Sequence, residues 1–151
     1  MVIILIGIMS YGAVSMFSSR DKYAGFIAKD QLISSALLAQ QIALGMSGES
    51  ISVTLKVERA IDPEDSREKW IFTLKKENQN TKVIKQETAG GSLAIDGTII
   101  ALNGSQTFTW NREASLVDGA NHSVTFVSGN TYRVCISASG YTYFSSSTCP
   151  S

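Results

Sequence analysis

The first nineteen residues, MVIILIGIMSYGAVSMFSS, carry no charged side chain, and Arg20 is the first that appears. A helix of this length, rising about 1.5 Å per residue, nearly matches the hydrocarbon thickness of a bilayer. A cleavable signal peptide usually begins with basic residues and ends in a small-residue cleavage site, and neither is clear here. A buried helix would show a polar face, and none is visible before Ser10. We therefore expect a membrane span, with a signal peptide and a buried helix as the alternatives.

Helical periodicity continues beyond Arg20 without an intervening proline, and Gly45 is a plausible C-terminal stop. Two neighbouring stripes of small and apolar residues recur at three- and four-residue steps. The first stripe consists of Ala28, Leu32, Ala36, Ala39 and Ala43, and the second of Phe26, Ile33, Leu37 and Leu44. We predict one long helix from about Met1 to Leu44, apolar all round at first and then amphipathic, with one face that requires a partner.

ISVTLKV and KWIFTLK have the two-residue alternation of half-buried strands, and further short strands are expected after them, separated by residues that favour turns. Nine strands are predicted at ISVTLKV, KWIFTLK, TKVIKQE, SLAID, GTIIAL, QTFTW, HSVTFVS, TYRVCIS and GYTYF. The segment IDPEDSREK between the first two strands is predicted to be a charged turn. Asp96-Gly97 and Asn103-Gly104 are signals for tight hairpins. The predicted fold class is α+β, with the long N-terminal helix packed on antiparallel strands.

The two cysteines, Cys135 and Cys149, both lie in the last 17 residues. Their separation is too long for a Cys-x-x-Cys redox pair, and the single histidine cannot complete a zinc site. We expect a disulfide that closes a C-terminal loop, with two buried reduced thiols as the alternative. A disulfide requires an oxidising compartment such as the periplasm or the cell exterior. Arg20 and Lys22 would instead favour the cytoplasm for this side of the span, although Asp21 weakens that bias.

Thirteen basic and thirteen acidic residues give a net charge of zero, which argues against nucleic acid as a partner. His122 is the only histidine, no Gly-x-Ser-x-Gly elbow accompanies it, and we expect a partly exposed strand residue rather than a catalytic one. The run Gly90-Gly91-Ser92 lacks the lysine of a phosphate loop and is predicted to be a turn.

Three acidic residues, Glu64, Asp65 and Glu68, lack the spacing and glycine of a calcium loop, so a solvated turn is expected. The sequence therefore predicts no catalytic residue, no cofactor and no metal. Five aromatic residues could form a binding surface, but most of them are expected to be core residues or cross-strand pairs. They are Trp70, Trp110, Tyr141, Tyr143 and Phe144.

Three stretches carry a resemblance to a known family. MVIILIGIM resembles the residues that follow the Phe-Thr-Leu-Val-Glu motif of type IV pilins and type II secretion pseudopilins. SRDKYAGFIAKDQLISSALLAQQIALG resembles the helix of minor pilins of the mannose-sensitive haemagglutinin (MSHA) type. FTWNREASLVDGANHSVTFVSGNTYRVCISASGYTY resembles the C-terminal sheet of the minor pseudopilin (GspH/FimT-like) domain. The family's leader, cleavage site and Phe-Thr-Leu-Val-Glu motif would precede Met1, so we expect an internal or truncated start.

This resemblance implies a structural subunit that initiates or caps an MSHA-type pilus. The alternatives are a minor pseudopilin of type II secretion and a membrane-anchored periplasmic binding domain that does not polymerise. The resemblance also implies a membrane and filament-core segment at 1–23 and a periplasmic head at 24–151. Within the head, the helix would lie at 24–45 and the β domain at 50–151. The implied partners are other pilin subunits, the inner membrane before assembly and the pilus assembly machinery. In such a filament the core-forming residues would include Val2, Ile3, Ile4, Leu5, Ile6, Gly7, Ile8, Gly12 and Val14.

Overall fold

A computed structural model describes residues 20–46, 52–77 and 79–150 of the chain. Within these ranges one helix precedes nine strands, and every strand pair is antiparallel, which confirms the predicted α+β class. The elements are helix α1 at Arg20–Leu44 and strands β1 Val53–Ile61, β2 Glu68–Lys76, β3 Gln79–Glu87, β4 Ser92–Ile95, β5 Thr98–Ile99, β6 Ser105–Trp110, β7 His122–Ser128, β8 Asn130–Ile136 and β9 Thr142–Ser145.

The strands form two sheets that alternate along the sequence. Sheet A has the strand order β3-β2-β1-β6, and sheet B has the order β5-β4-β7-β8-β9. The chain therefore builds three strands of sheet A, moves to sheet B for β4 and β5, returns to sheet A for β6 and finishes in sheet B. Helix α1 contacts both sheets, chiefly through β7 and β8 on one side and β1 and β2 on the other.

The face of α1 that packs on the sheets is the first of the two predicted stripes. Its five members, Ala28, Leu32, Ala36, Ala39 and Ala43, are fully buried, and Ala24 extends the same line. The second stripe lies at the rim of this contact because a helix on a sheet buries only one side. Phe26 and Leu44 are accordingly exposed, whereas Ile33 and Leu37 are half-buried. The helix ends at Leu44 as predicted, and the Gly45 N–H donates to the Gln41 carbonyl.

Aromatic rings from both sheets meet in a single core beneath the helix. The ring centroids of Trp70 on β2 and Phe126 on β7 are 5.1 Å apart, and those of Phe72 and Phe126 are 6.0 Å apart. Both tryptophans, Trp70 and Trp110, are fully buried, as the sequence predicted. Edge-to-face contacts of this kind contribute about 0.5–1.5 kcal/mol beyond the burial of apolar area. The two sheets therefore depend on each other for their interior.

The two turns predicted to be hairpins have different outcomes. Asp96 and Gly97 join β4 to β5 with φ values of 51° and 78°, the left-handed conformation at both central positions that a tight hairpin needs. The hairpin predicted at Asn103-Gly104 is wrong, because this turn leads from sheet B into β6 of sheet A. The Asn103 N–H donates to the Arg59 carbonyl of β1 at 2.6 Å, so the turn is fixed by a distant strand. Local turn chemistry specifies a bend, but not which strands it joins.

The helix–sheet contact generates a direct prediction. Leu32 is fully buried at its centre, and Leu44 is 64% exposed at the end of the same helix. Leu32→Ala should lower the free energy of unfolding by about 2–5 kcal/mol, because it removes buried methyl groups and leaves a cavity. Leu44→Ala is the matched control and should change it by less than about 0.5 kcal/mol. Urea titration of the full chain in mild detergent measures both, and equal effects would contradict this packing.

Candidate assembly surface and C-terminal loop

The N-terminal half of α1 presents an exposed apolar face next to its buried stripe. Tyr23, Phe26 and Ile27 have exposed fractions of 59%, 44% and 41%. Their spacing of three and four residues places them side by side on the helix surface. We call these three residues the apolar helix face. Contiguous apolar surface that is left exposed on a folded head is characteristic of a contact with another protein or a membrane.

Contacts from sheet B fix one side of the apolar helix face. The ring of Phe26 lies edge-on to Tyr132 of β8, with centroids 5.9 Å apart. Gly25 allows this approach, since a Cβ at that position would lie 2.9 Å from the Tyr132 ring. The buried Lys29 places its Nζ 4.2 Å from the Phe26 centroid and 4.9 Å from that of Phe144 on β9. These cation–π contacts hold Phe26 in place, so the face is supported by the head.

The residues expected to form the membrane and filament-core helix lie outside the described residues. This applies to Val2, Ile3, Ile4, Leu5, Ile6, Gly7, Ile8, Gly12 and Val14. Within residues 20–46, 52–77 and 79–150, no helix has both the length and the apolarity to cross a bilayer.

The two cysteines form the predicted disulfide. Cys135 of β8 is bonded to Cys149, with Cα atoms 5.6 Å apart, and the bond closes a C-terminal loop that contains β9. The Arg133 guanidinium also donates to the Ser147 carbonyl at 2.7 Å, so a second contact fixes the tail. A cavity of about 250 Å³ beside the bond is bordered by His122, Ser137, Tyr143 and Pro150 among others.

A buried carboxylate organises the turn between β1 and β2. Asp62 has no exposed surface, and its side chain accepts from Lys69 at 2.7 Å, from Lys85 at 3.1 Å and from the backbone N–H of Glu64 at 3.2 Å. The hydrogen bond from Lys69 contributes most and, with those from Glu64 and Lys85, lowers the pKa of Asp62 to about 2 despite burial. This carboxylate therefore links β1, β2 and β3 at one end of sheet A.

The acidic residues considered as a calcium site belong to the same turn and are paired with cations. Asp65 forms an ion pair with Lys69 at 2.7 Å, and Glu64 forms one with Lys85 at 3.2 Å. Glu68 forms an ion pair with Arg59. Among the described residues, no group of His, Cys, Asp or Glu side chains has a geometry that could hold a metal ion. The sequence identified the turn but missed Asp62 as its centre, because Lys85 is 23 residues away and only strand pairing brings it close.

His122 lies at the start of β7 with both ring nitrogens occupied. Nδ1 is 2.7 Å from an Asp96 carboxylate oxygen, and Nε2 is 2.7 Å from an Asp118 carboxylate oxygen. A general base needs one free ring nitrogen within reach of a nucleophile. The arrangement therefore joins two loops rather than activating a serine. Sequence reasoning placed His122 on a strand, as observed, but did not detect either carboxylate partner.

The remaining candidates are placed as follows. Gly90 and Gly91 form the turn between β3 and β4, where the Gly91 N–H donates to the Thr88 carbonyl. Tyr141 and Tyr143 stack on each other with centroids 5.8 Å apart, and Tyr141 is 58% exposed. Phe144 is 47% exposed beside Lys29. The C-terminal aromatic residues are thus more exposed than a core position would be.

A long helix laid across antiparallel sheets, with a disulfide-closed C-terminal loop, is a pilin-like α+β fold. Two crystal structures of the type IV minor pilin FimU from Pseudomonas aeruginosa strain PAO1 share this fold. One has a TM-score of 0.53 over 78% of this chain and 90% of FimU, and the other 0.57 over 85% and 92%, both at 12% sequence identity. At that identity the similarity concerns the fold alone. No protein-family model and no curated protein sequence matches the chain.

Protonation of Asp62 should control part of the acid sensitivity of the head. Because its pKa of about 2 lies below the ordinary 3.8, its contribution to stability is complete above about pH 4 and is lost as the pH falls towards 2. Asp62→Asn should flatten this part of the curve of unfolding free energy against pH. Asp30→Asn, which alters a half-exposed carboxylate on α1, is the control and should leave the acid limb unchanged. A wild-type curve that is flat between pH 4 and 2 would contradict this role.

The disulfide should stabilise the head mainly by restricting the unfolded chain. For a sequence separation of 14 residues, loop-closure entropy corresponds to about 3 kcal/mol. A double variant, Cys135→Ser with Cys149→Ser, should lose about that much unfolding free energy in a urea titration. Added reductant should lower the midpoint for the wild type and leave the double variant unchanged. Identical midpoints for the wild type with and without reductant would show that the bond contributes nothing.

Proposed function

We propose that this protein is a structural minor pilin that takes part in initiating or capping the assembly of a type IV pilus. The observation that carries the proposal is that α1 has two apolar faces, one buried on the head and one exposed. The alanine-rich stripe packs the helix on the head, while Tyr23, Phe26 and Ile27 remain exposed towards its N-terminal end. The fold shared with a minor pilin supports the same conclusion. A helix with a second apolar face can contact a neighbouring subunit without leaving its own head.

The uncharged segment 1–19 supplies the remainder of this proposed contact. We infer that it holds the subunit in the inner membrane of a Gram-negative bacterium with the head in the periplasm, and later joins a bundle of similar helices in the filament core. Residues 1–23 would form the membrane and core part, and 24–151 the head. Leaving hydrocarbon removes a stabilisation of about 25 cal/mol per Å² of apolar surface, so an equally apolar bundle must replace it. Energy for extraction would come from a separate ATPase of the assembly machinery.

We assign the pilus to the MSHA type on the resemblance of the helix SRDKYAGFIAKDQLISSALLAQQIALG to minor pilins of that system. A minor pseudopilin of type II secretion would use the same helix to assemble a periplasmic filament. The two differ in where the protein accumulates: a pilin is released with filaments sheared from the cell surface, whereas a pseudopilin is not. A protein retained in the inner membrane while pili are made would instead be a non-polymerising, membrane-anchored domain.

A single charge on the apolar helix face tests the proposal. Ile27→Lys should reduce the amount of protein in sheared filaments by about tenfold or more, because an ammonium buried without a partner in an apolar contact is strongly unfavourable. Ile99→Lys is the matched control, since Ile99 is 68% exposed on β5, and it should assemble normally. Immunoblots of sheared filaments and membrane fractions from the encoding organism provide the measurement. Equal incorporation of both variants would show that this face is not an assembly contact.

A further inference from the structure

His122 is held between two carboxylates from separate parts of the head. Asp96 belongs to the β4–β5 hairpin turn, and Asp118 belongs to the loop at 111–121 between β6 and β7. Each carboxylate places an oxygen 2.7 Å from a different ring nitrogen. The His122 side chain is only 12% exposed, whereas the side chains of Asp96 and Asp118 are 46% and 52% exposed. The ring therefore connects the loop to sheet B.

The number of protons on His122 decides whether both contacts can exist. An ionised carboxylate only accepts hydrogen bonds, and a neutral imidazole carries one N–H donor. Two contacts of 2.7 Å to carboxylates are therefore satisfied together only by the imidazolium, which has two donors. After the ring loses a proton, one nitrogen directs a lone pair at a carboxylate oxygen, which is repulsive. The geometry thus corresponds to the charged form of the side chain.

The groups that the structure places around the ring come from several elements of the head. Asp96 faces it from the β4–β5 turn, and Asp118 faces it from the loop. The Phe108 ring of β6 lies edge-on with centroids 5.2 Å apart. Tyr143 of β9 is the further titratable group that lines the same cavity, and Ile136 of β8 is the cross-strand neighbour. Burial lowers the pKa of His122, but the hydrogen bonds to Asp96 and Asp118 outweigh burial and the pKa is raised.

The loop at 111–121 connects the two sheets at this end of the head. The Val117 N–H donates to the Thr109 carbonyl of β6 at 2.9 Å, which covers the open edge of sheet A. The Leu116 N–H donates to the Ala138 carbonyl at 2.9 Å, and the Asn121 side chain accepts from the Ala138 N–H at 2.7 Å. Release of the loop would therefore expose a strand edge and loosen the turn between β8 and β9.

We propose that His122 is a proton-operated latch, which fastens the 111–121 loop to sheet B when charged and releases Asp118 when the ring loses a proton. Asp118 is the partner released because it lies on an exposed loop. Its second oxygen accepts from the Ala120 N–H at 3.2 Å, a contact within the same loop. Asp96 is held independently of the ring, since its other oxygen accepts from the Ser123 N–H of β7 at 2.7 Å.

The direction of the pH effect follows from the raised pKa. The contribution of the latch is complete below the ordinary value of 6.5 and is lost as the pH rises through the raised pKa. The head would therefore carry a closed loop in mildly acidic surroundings and an open loop in alkaline ones. This property is independent of polymerisation, so it can be tested on the wild-type chain whether or not the protein enters a pilus.

His122 is the only histidine, so its ring nitrogens can be observed without interference by ¹⁵N NMR of the full chain in detergent micelles. We expect both nitrogens to be protonated below the transition and the pKa to lie above 6.5. Hydrogen exchange of the Val117 amide, corrected for its intrinsic rate, should lose about tenfold protection through the same pH range, as expected for a broken charge-assisted hydrogen bond. A lone pair on Nε2 at pH 5, or unchanged Val117 protection, would overturn the proposal.

Variants separate the latch from general charge effects on the loop. Asp118→Asn should lower the pKa of His122 and abolish the pH dependence of Val117 protection. Glu113→Gln is the control, because Glu113 lies in the same loop but pairs with Arg112 at 2.8 Å rather than with His122. It should leave both the titration and the exchange profile as in the wild type. If Glu113→Gln changes them as much as Asp118→Asn does, the latch is not specific and the proposal is wrong.

Discussion

The close approach of helix α1 to the two sheets is the constraint on which the rest of the head depends. Alanine at most positions of the buried stripe lets the helix backbone lie near the strands, and Leu32 fills the space at the centre. A helix this close buries only a narrow face. The bulky side chains that flank the stripe are therefore left at the rim, and the same geometry that completes the core also creates the apolar helix face.

Features that depend on near neighbours in the sequence were predictable. The period of Ala28, Leu32 and Ala36 predicted one of two neighbouring stripes on the helix, and it is the buried one. Two-residue alternation in the first two strands and turn residues between the others located all nine strands. The pairing of strands was not predictable, because it depends on contacts between distant residues. Asp96-Gly97 and Asn103-Gly104 have the same local chemistry, yet one closes a hairpin and the other crosses between sheets. The difference comes from Arg59, whose carbonyl fixes Asn103 from 44 residues earlier in the chain.

The candidate sites were likewise predictable only where their partners could be identified without knowing the strand pairing. Two cysteines allow only one intramolecular pairing, so the disulfide could be predicted from their number and spacing. The environments of Asp62 and His122 could not, since each depends on a partner placed by sheet register. Pairing of Ile95 with Val124 brings Asp96 beside the start of β7, and pairing of Phe72 with Ile84 brings Lys85 to the β1–β2 turn. In both cases the pKa of the titratable residue is shifted in part by a partner that is distant in the sequence.

The alternation of the two sheets along the sequence has a consequence for how the head can be divided. A break between β3 and β4 would separate β6 from its partner β1, and a break between β6 and β7 would separate β4 from β7. No single cut from β1 to β9 yields two fragments that each contain a complete sheet. Recombination within the head would therefore split a sheet at any point between β1 and β9. Gene fusions can add sequence without splitting a sheet only at the ends of the head or in its exposed turns.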